Sequence, residues 1–238
     1  MTLIDDYLAE QEKYEFRYGE NTIVLMQVGH FYECYAVDNQ HEQINGTNLY
    51  KLSDILNIQL TRKNKSIIEN SRKNPLMIGV NLFSIDKYIQ LLLNNSYTCV
   101  IIDQVTEPPE PERAVTNIYS PGTNVAYNSK GETNNLMTIY IDIYKDLYGN
   151  NNIIIGMSII DLSTGKNLIV ETYSKSDDFN KSLDEAFRFI QTHDPKEIVI
   201  ITSNSEQLSE EYLNNYLELS NRVVHYKCKD TISKEYFN

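Results

Sequence analysis

The chain has 238 residues, 41% of them hydrophobic, which suits one large domain or two modest ones and excludes a disordered chain. A net charge of −12 argues against a surface that binds polyanions everywhere, so any nucleic-acid contact has to come from a local basic patch. No apolar run is long enough to cross a membrane, the acidic N-terminus lacks the features of a signal peptide, and three scattered cysteines, Cys34, Cys99 and Cys228, suit an intracellular, reducing compartment.

Residues 3–15 read as a helix, with Leu3, Ile4, Tyr7, Leu8, Gln11 and Tyr14 close to one face. After the Gly19 turn, "TIVLMQV" reads as a buried strand, and "HFYECYAV" continues the extended chain beyond Gly29. Residues 48–58 look helical, and "QLTRKNK" reads as a strand entering a basic loop. From Thr61 to Pro75 there are five basic residues, Arg62, Lys63, Lys65, Arg72 and Lys73, against Glu69 alone. "NPLMIGVN" is a further strand, Ser84 is a candidate N-cap for a helix carrying Ile85, Tyr88, Ile89, Leu92 and Leu93, and "YTCVIIDQV" is a strand again. The prolines of "TEPPEPERAV" place it in a surface loop, before a last extended stretch.

"YNSKGETNN" is polar and has the character of a linker. Beyond it, "LMTIYIDIY", "IIIGMSIIDL" and "NLIVETY" are strands, the last two forming a hairpin. A helix over 177–192, capped by Asp177 or Asp178, a continuous apolar strand "KEIVIIT", a helix in "SEEYLNNYLEL" and a strand "RVVHYK" follow. The pattern reads as a three-layer α/β unit, and the unbroken apolar run fits a parallel strand.

Few motifs carry chemistry. Gly165-Lys166 sits in a hairpin turn with Ile160 where a Walker A glycine would stand and Asn167 where Ser or Thr would. The four histidines are isolated, so a metal site has no support. Asp142 and Asp161, on neighbouring strands, could share Mg²⁺ in a nuclease, although a two-metal site needs three or four convergent carboxylates.

The stretch "QVGHFYECY" is the most informative. In a strand, Phe31 and Glu33 share one face, about 7 Å apart, while Tyr32 and Cys34 share the other. An aromatic ring can enter a base step from the minor groove and unstack it, at a cost that falls where pairing is already faulty. A carboxyl beside it can hydrogen-bond a displaced base. Phe31 packed inward with Glu33 solvated is the alternative.

"GHFYECY" resembles the Gly-Asp-Phe-Tyr-Glu motif of the MutS mismatch-recognition family. "DDYLAEQEKY", "LNIQLTRKNK", "PLMIGVNLFSIDKYIQLLLNNSYTCVIIDQ", "YSPGT" and "GMSIIDLSTGK" resemble further segments of that family, in the same order. The resemblance implies an α+β recognition domain over 1–127 (a mixed sheet with flanking helices), a linker at 128–134, and an α/β ribonuclease-H-like connector over 135–238. It implies Phe31 as the stacking wedge, Glu33 as the partner of the displaced base, and Arg62, Lys63 and Lys65 as backbone contacts. His30 stands where the family has Asp, and as a cation it would face phosphate. Asn81, Leu82 and Phe83 replace the family's Pro-Tyr-His. The implied partners are double-stranded DNA with mismatches or small loops and the rest of a MutS-like polypeptide, dimeric at full length. The chain itself is then no enzyme, binds no metal or cofactor, and leaves ATP and Mg²⁺ to the lever, clamp and ATPase parts of the family. The lean towards Asn, Ile, Lys and Tyr resembles the giant-virus and octocoral-mitochondrial branch. The Mg²⁺-dependent nuclease with Asp142 and Asp161 is the alternative function.

Overall fold

The computed structural model describes residues 2–39, 43–107, 109, 111–124, 133–175, 178–202, 208–220 and 222–229; most of the linker expected at 128–134, and the candidate cap Asp177, lie outside the described residues. The chain forms two compact units, Met1–Pro121 and Gly122–Asn238.

The first unit opens with α1 (Leu3–Tyr18), held at its start by a capping box in which the Thr2 side chain accepts from the Asp5 amide and the Asp5 carboxylate accepts from the Thr2 amide. Hydrogen bonds from Thr2, then from Arg72, hold the Asp5 carboxyl down at about 2. Then follow β1 (Thr22–Val28), β2 (Phe31–Asn39), β3 (Gln43–Gly46), α2 (Leu49–Leu56), β4 (Thr61–Arg62), β5 (Leu76–Asn81), a 3-10 turn (Leu82–Ser84), α3 (Ile85–Asn94), β6 (Thr98–Gln104) and β7 (Arg113–Tyr119). The sheet order is β4-β5-β2-β1-β6-β7, with β3 paired to β2. Among the described residues only β1 and β6 run parallel within it, and each begins with five consecutive buried residues, as expected of central strands covered on both faces. Gln11, Tyr7 and Leu8 of α1 are buried against the sheet, while α2 and α3 pack on each other and on β2, β5 and β6.

The join between β1 and β2 decides the shape of this unit. Their ladder has three residue pairs, Met26↔Glu33, Gln27↔Tyr32 and Val28↔Phe31. Below Met26 the strands part, and side chains take up the backbone groups that the ladder leaves. The fully buried Gln11 accepts from Val24 N at 2.8 Å and donates to Thr22 O at 2.7 Å. The Tyr7 hydroxyl donates to Val24 O at 3.1 Å, and the Cys34 thiol reaches the same carbonyl at 3.3 Å. Buried peptide groups need such partners, because an orphan costs about 1–3 kcal/mol.

One local expectation is corrected, and one strand was not read from the sequence. Ser84 makes no side-chain cap on α3; Asn81 caps the preceding turn instead, its Oδ1 accepting from Phe83 N at 2.9 Å. Strand β3 has no clear apolar signature in the sequence. It closes on Gly46, whose φ is +94° and where a Cβ would lie 2.7 Å from Tyr35 O, so only glycine fits.

The second unit contains β8 (Asn135–Lys145), β9 (Asn151–Asp161), β10 (Asn167–Tyr173), α4 (Lys181–His193), β11 (Glu197–Thr202), α5 (Glu210–Tyr216) and β12 (Val223–Cys228). The sheet order is β10-β9-β8-β11-β12. The first three strands form an antiparallel meander, and β11 lies parallel to both β8 and β12, as its continuous apolar run suggests. Ile139, Ile155, Met157 and Ile200 make one face of the core, and Leu183, Ala186 and Ile190 of α4 join it with Leu213 of α5. Both helices therefore cover the same face. Among the described residues the unit has two layers, not the three expected. Helix α4 begins four residues later than the sequence suggested, after Asn180, with no side-chain cap from Asp178.

The aspartate pair expected in a nuclease does not converge. Asp161 lies opposite Asn135, and Asp142 lies seven residues further along β8, which puts the carboxylates on opposite faces and about 23 Å apart along the strand. Asp161 is taken up by its own turn, accepting from Thr164 Oγ1 at 2.7 Å and from the amides of Asn134 and Ser163 at 3.0 Å each. These bonds, Thr164 first, lower its pKa. Asp142 pairs with Lys229 at 2.6 Å and accepts from Tyr140 at 3.2 Å. Among the described residues no group of three or more His, Cys, Asp or Glu is placed to hold a metal.

Two measurements check this packing. Replacing Gln11 by Leu strands the Val24 amide and weakens the support of Thr22 O; a loss of roughly 2–4 kcal/mol is expected, read as a lower urea midpoint for exposure of Cys34. A loss below about 0.5 kcal/mol would contradict the bridging role. Burial pushes the Cys34 thiol up to about 12 and raises Cys99 as well, so both stay protonated at pH 8. Native chain should therefore yield one fast-reacting thiol, Cys228, with the other two appearing only on unfolding. Two fast thiols in the native state would show the core to be open.

Candidate nucleic-acid interface

The β1–β2 hairpin ends in a two-residue loop, Gly29-His30, closed by the Val28↔Phe31 pair. Gly29 has φ +60° and His30 a negative φ, the pattern of a type II′ turn whose first central position favours glycine. The side chain of Gln27 donates to Gly29 O at 3.2 Å. His30 lies exposed on this tip, and its carbonyl accepts from Leu82 N at 3.0 Å, which ties the hairpin to the turn after β5.

The first residue of β2 is Phe31, and 46% of it is exposed. The ring is therefore not sealed in the core, which was the alternative for this position. The strand alternation explains how it is held. Tyr32 and Cys34, on the other face, are buried, and the Tyr32 hydroxyl donates to Asp103 Oδ1 in a short hydrogen bond. Burial, then the bond to Asp103, raises the Tyr32 phenol well above its ordinary value, so it stays a donor. Thr116 Oγ1 donates to the other oxygen of Asp103 at 2.6 Å.

Glu33 shares the Phe31 face. Its Oε2 accepts a short hydrogen bond from Tyr35, and burial followed by this bond raises the Tyr35 phenol as well. Opposite Glu33 in the sheet stands Gly79, where even a methyl group would only just touch the Glu33 side chain at 3.7 Å. The carboxyl thus has one oxygen anchored by a tyrosine and an open neighbour across the strand. It can accept a hydrogen bond from an incoming donor without first breaking a salt bridge.

The basic residues are placed elsewhere. Arg62 pairs with Leu76, and Phe31 with Asn81, five residues or about 17 Å along β5. The chain leaves β4 heading away from the hairpin tip, so the basic loop and Phe31 do not form one cluster. The guanidinium of Arg62 turns into its own loop and donates to the carbonyls of Ile67, at 3.1 Å, and Ile68. The buried Asn74 adds bonds to Ile67 O at 3.1 Å and Glu69 O at 3.0 Å, and accepts from Asn64 N at 2.7 Å. Together they fix the loop, with Lys63 and Lys65 exposed on it. Arg72 is paired with Asp5 at 3.1 Å, so part of the local positive charge is met within the fold.

Two further side chains stand near the tip: Arg113, which the sequence did not mark, and Phe83, which the sequence marked only as a departure from the family pattern. Arg113, at the start of β7, donates from Nε to Gln27 O at 3.0 Å, which holds a cation beside the hairpin. Phe83, in the 3-10 turn, is 89% exposed. The prolines before Arg113 mark its segment as a loop edge, and nothing in the local pattern marks Arg113 itself.

A family profile for MutS domain I matches residues 12–128. A DNA mismatch repair MutS homolog of Acanthamoeba polyphaga mimivirus is 36% identical over 222 residues, covering 92% of this chain and 19% of that protein. The DNA mismatch repair protein MutS of Thermodesulfovibrio yellowstonii is 32% identical over 213 residues, 87% of this chain and 20% of that protein, and that of Thermotoga maritima is 26% identical over 240 residues, 99% and 24%. Among solved structures, a chain of a simian T-cell lymphotropic virus intasome complex aligns over 39% of this chain and 31% of its own length at 13% identity, with a TM-score of 0.22. The chain spans about a fifth to a quarter of the length of the MutS relatives it matches. With a domain I match that contains the hairpin and colinear identity through both units, the chain belongs to the MutS family of DNA mismatch repair proteins.

Proposed function

We propose that the chain recognises mismatched or looped duplex DNA by inserting Phe31 into a weakened base step from the minor groove, with Glu33 hydrogen-bonding the base that is displaced. The observation that carries this reading is the half-exposed Phe31 ring on the first residue of a strand whose next residue is locked into the core. Insertion costs a few kcal/mol of unstacking, least where pairing is already faulty, so the ring selects deformable duplex over sequence. Glu33 adds discrimination of a second kind. A carboxylate near DNA is repelled unless a donor on the displaced base satisfies it.

Lys63 and Lys65 act on the phosphates, about half a helical turn from the wedge, and His30 and Arg113 act close to it. The remaining donors of Arg62 join them, since a guanidinium carries more donors than its loop carbonyls occupy. The second unit serves as a connector. Its meander of three strands with two more added parallel to the first supports a ribonuclease-H-like fold. The separation of Asp142 from Asp161 supports a structural role for that fold without strand cleavage. In this reading the chain is the recognition and connector portion of a MutS-like polypeptide that pairs into a dimer, and ATP hydrolysis belongs to other parts of it.

Two experiments on the chain follow. With duplexes that differ only in one G·T pair, Phe31→Ala should bring the affinity ratio of mismatched to matched DNA to within about twofold of unity, while matched-duplex affinity changes little. An unchanged ratio would refute the wedge. Lys63→Ala with Lys65→Ala should weaken both duplexes alike and lower the slope of log affinity against log salt by roughly 0.9 per lysine. An unchanged slope would remove these lysines from the phosphate contact.

A further inference from the structure

Phe83 is not explained by packing. Single exposed apolar residues are ordinary on protein surfaces, and Phe16 on α1 is one, at 95% exposure. Phe83 differs in where it stands and how firmly its backbone is held. Asn81 lies directly opposite Phe31 in the sheet, and Phe83 follows two residues later. The amide between them, Leu82 N, bonds to the carbonyl of His30 at the tip of the hairpin, at 3.0 Å. The Asn81 side chain accepts from Phe83 N at 2.9 Å, and Ser84 Oγ donates to Asn81 O at 3.1 Å. Helix α3 then starts at once and buries Ile89, Leu92 and Leu93. The turn is thus fixed on both sides, and it carries a second exposed aromatic residue two positions past the strand partner of Phe31.

Taking the proposed function as its basis, we propose that Phe83 is a second aromatic DNA contact, stacking on an unpaired nucleotide next to the step that Phe31 opens. The two rings are exposed to different degrees, and this assigns them different partners. Phe31, half covered, can enter a gap from one side. Phe83, open on both faces, can offer a platform to a base that has left the helix. A base still paired within the duplex presents only its edge to such a ring, whereas an extrahelical base presents its π face whatever its identity. Because the turn is already ordered, little conformational freedom is lost when the base stacks. Phe83 therefore shifts the preference of the chain towards sites with unpaired extra nucleotides, relative to base–base mismatches.

The test is fluorescence anisotropy of the whole chain, at one salt concentration, with three labelled duplexes: fully matched, one G·T pair, and two unpaired thymidines in one strand. Phe83→Ala should weaken binding to the unpaired-thymidine duplex roughly five- to fifty-fold, and change the other two by less than about threefold. Phe83→Tyr should restore the loss, and Phe16→Ala should leave all three unchanged. The inference is overturned if Phe83→Ala stays within twofold of the parent on the unpaired duplex, or weakens all three equally. If that happens while Phe31→Ala still removes the G·T preference, the wedge stands without the second ring. If the parent chain prefers neither defective duplex over the matched one, the proposed function fails, and this inference with it.

Discussion

Gln11 of α1 stitches into β1 where the strand is no longer paired with β2. Two neighbouring strands would ordinarily pair along their whole length. Here β2 leaves β1 after three residue pairs, and a glutamine and a tyrosine from α1 complete the hydrogen bonds of Thr22 and Val24. The hairpin is thereby shortened to its tip. A short tip with a glycine-led two-residue loop puts the first residue of β2 at the boundary of the fold, where a large apolar ring can be half in and half out. One buried amide side chain thus satisfies the strand that is also paired to β6, while Phe31 stays paired to Val28 at the far end of the same ladder.

Exposing such a ring is unfavourable by itself, since apolar surface in water costs about 25 cal/mol per Å². The neighbours offset it. Tyr32 is locked to Asp103, which also accepts from Thr116, and Tyr35 is locked to Glu33. Both tyrosines stay protonated because burial and an adjacent acid disfavour their anions. The strand behind Phe31 is therefore fixed on both faces. In the role proposed for Phe31, a contact group on a rigid element loses less entropy on binding. The basic loop is organised in a similar way, with Arg62 and Asn74 satisfying its carbonyls from inside so that Lys63 and Lys65 face solvent.

Much of this arrangement is legible in the sequence, for identifiable reasons. "TIVLMQV" and "NLIVETY" are strands with the same limits in the structure, since apolar, β-branched runs bounded by turn residues have few other ways to fold. The sharing of one face by Phe31 and Glu33 follows from strand periodicity alone. That Phe31 is exposed does not, because it depends on which elements cover the hairpin tip, and those are set by long-range packing. Long-range pairing also hides the other differences. Asp142 and Asp161 look equivalent on adjacent strands until the register puts them on opposite faces. Arg62 reads as a free cation until its loop folds back over it. Strand β3 is four residues long and gains its place from the close approach that Gly46 permits. The likeness to MutS domain I implied the roles proposed for Phe31 and Glu33, and it implied none for Phe83, which stands where the family pattern has a different residue.

The central claim is that a ring on this chain enters the base stack. A duplex carrying 2-aminopurine beside a G·T pair reports it directly, because the fluorescence of that base is quenched by stacking and recovers when the stack opens. Saturation with the chain should raise the fluorescence at the mismatch, leave it unchanged at the same position in a matched duplex, and leave both unchanged with Phe31→Ala. A chain that binds the mismatched duplex while the base beside the mismatch stays fully quenched would contradict it.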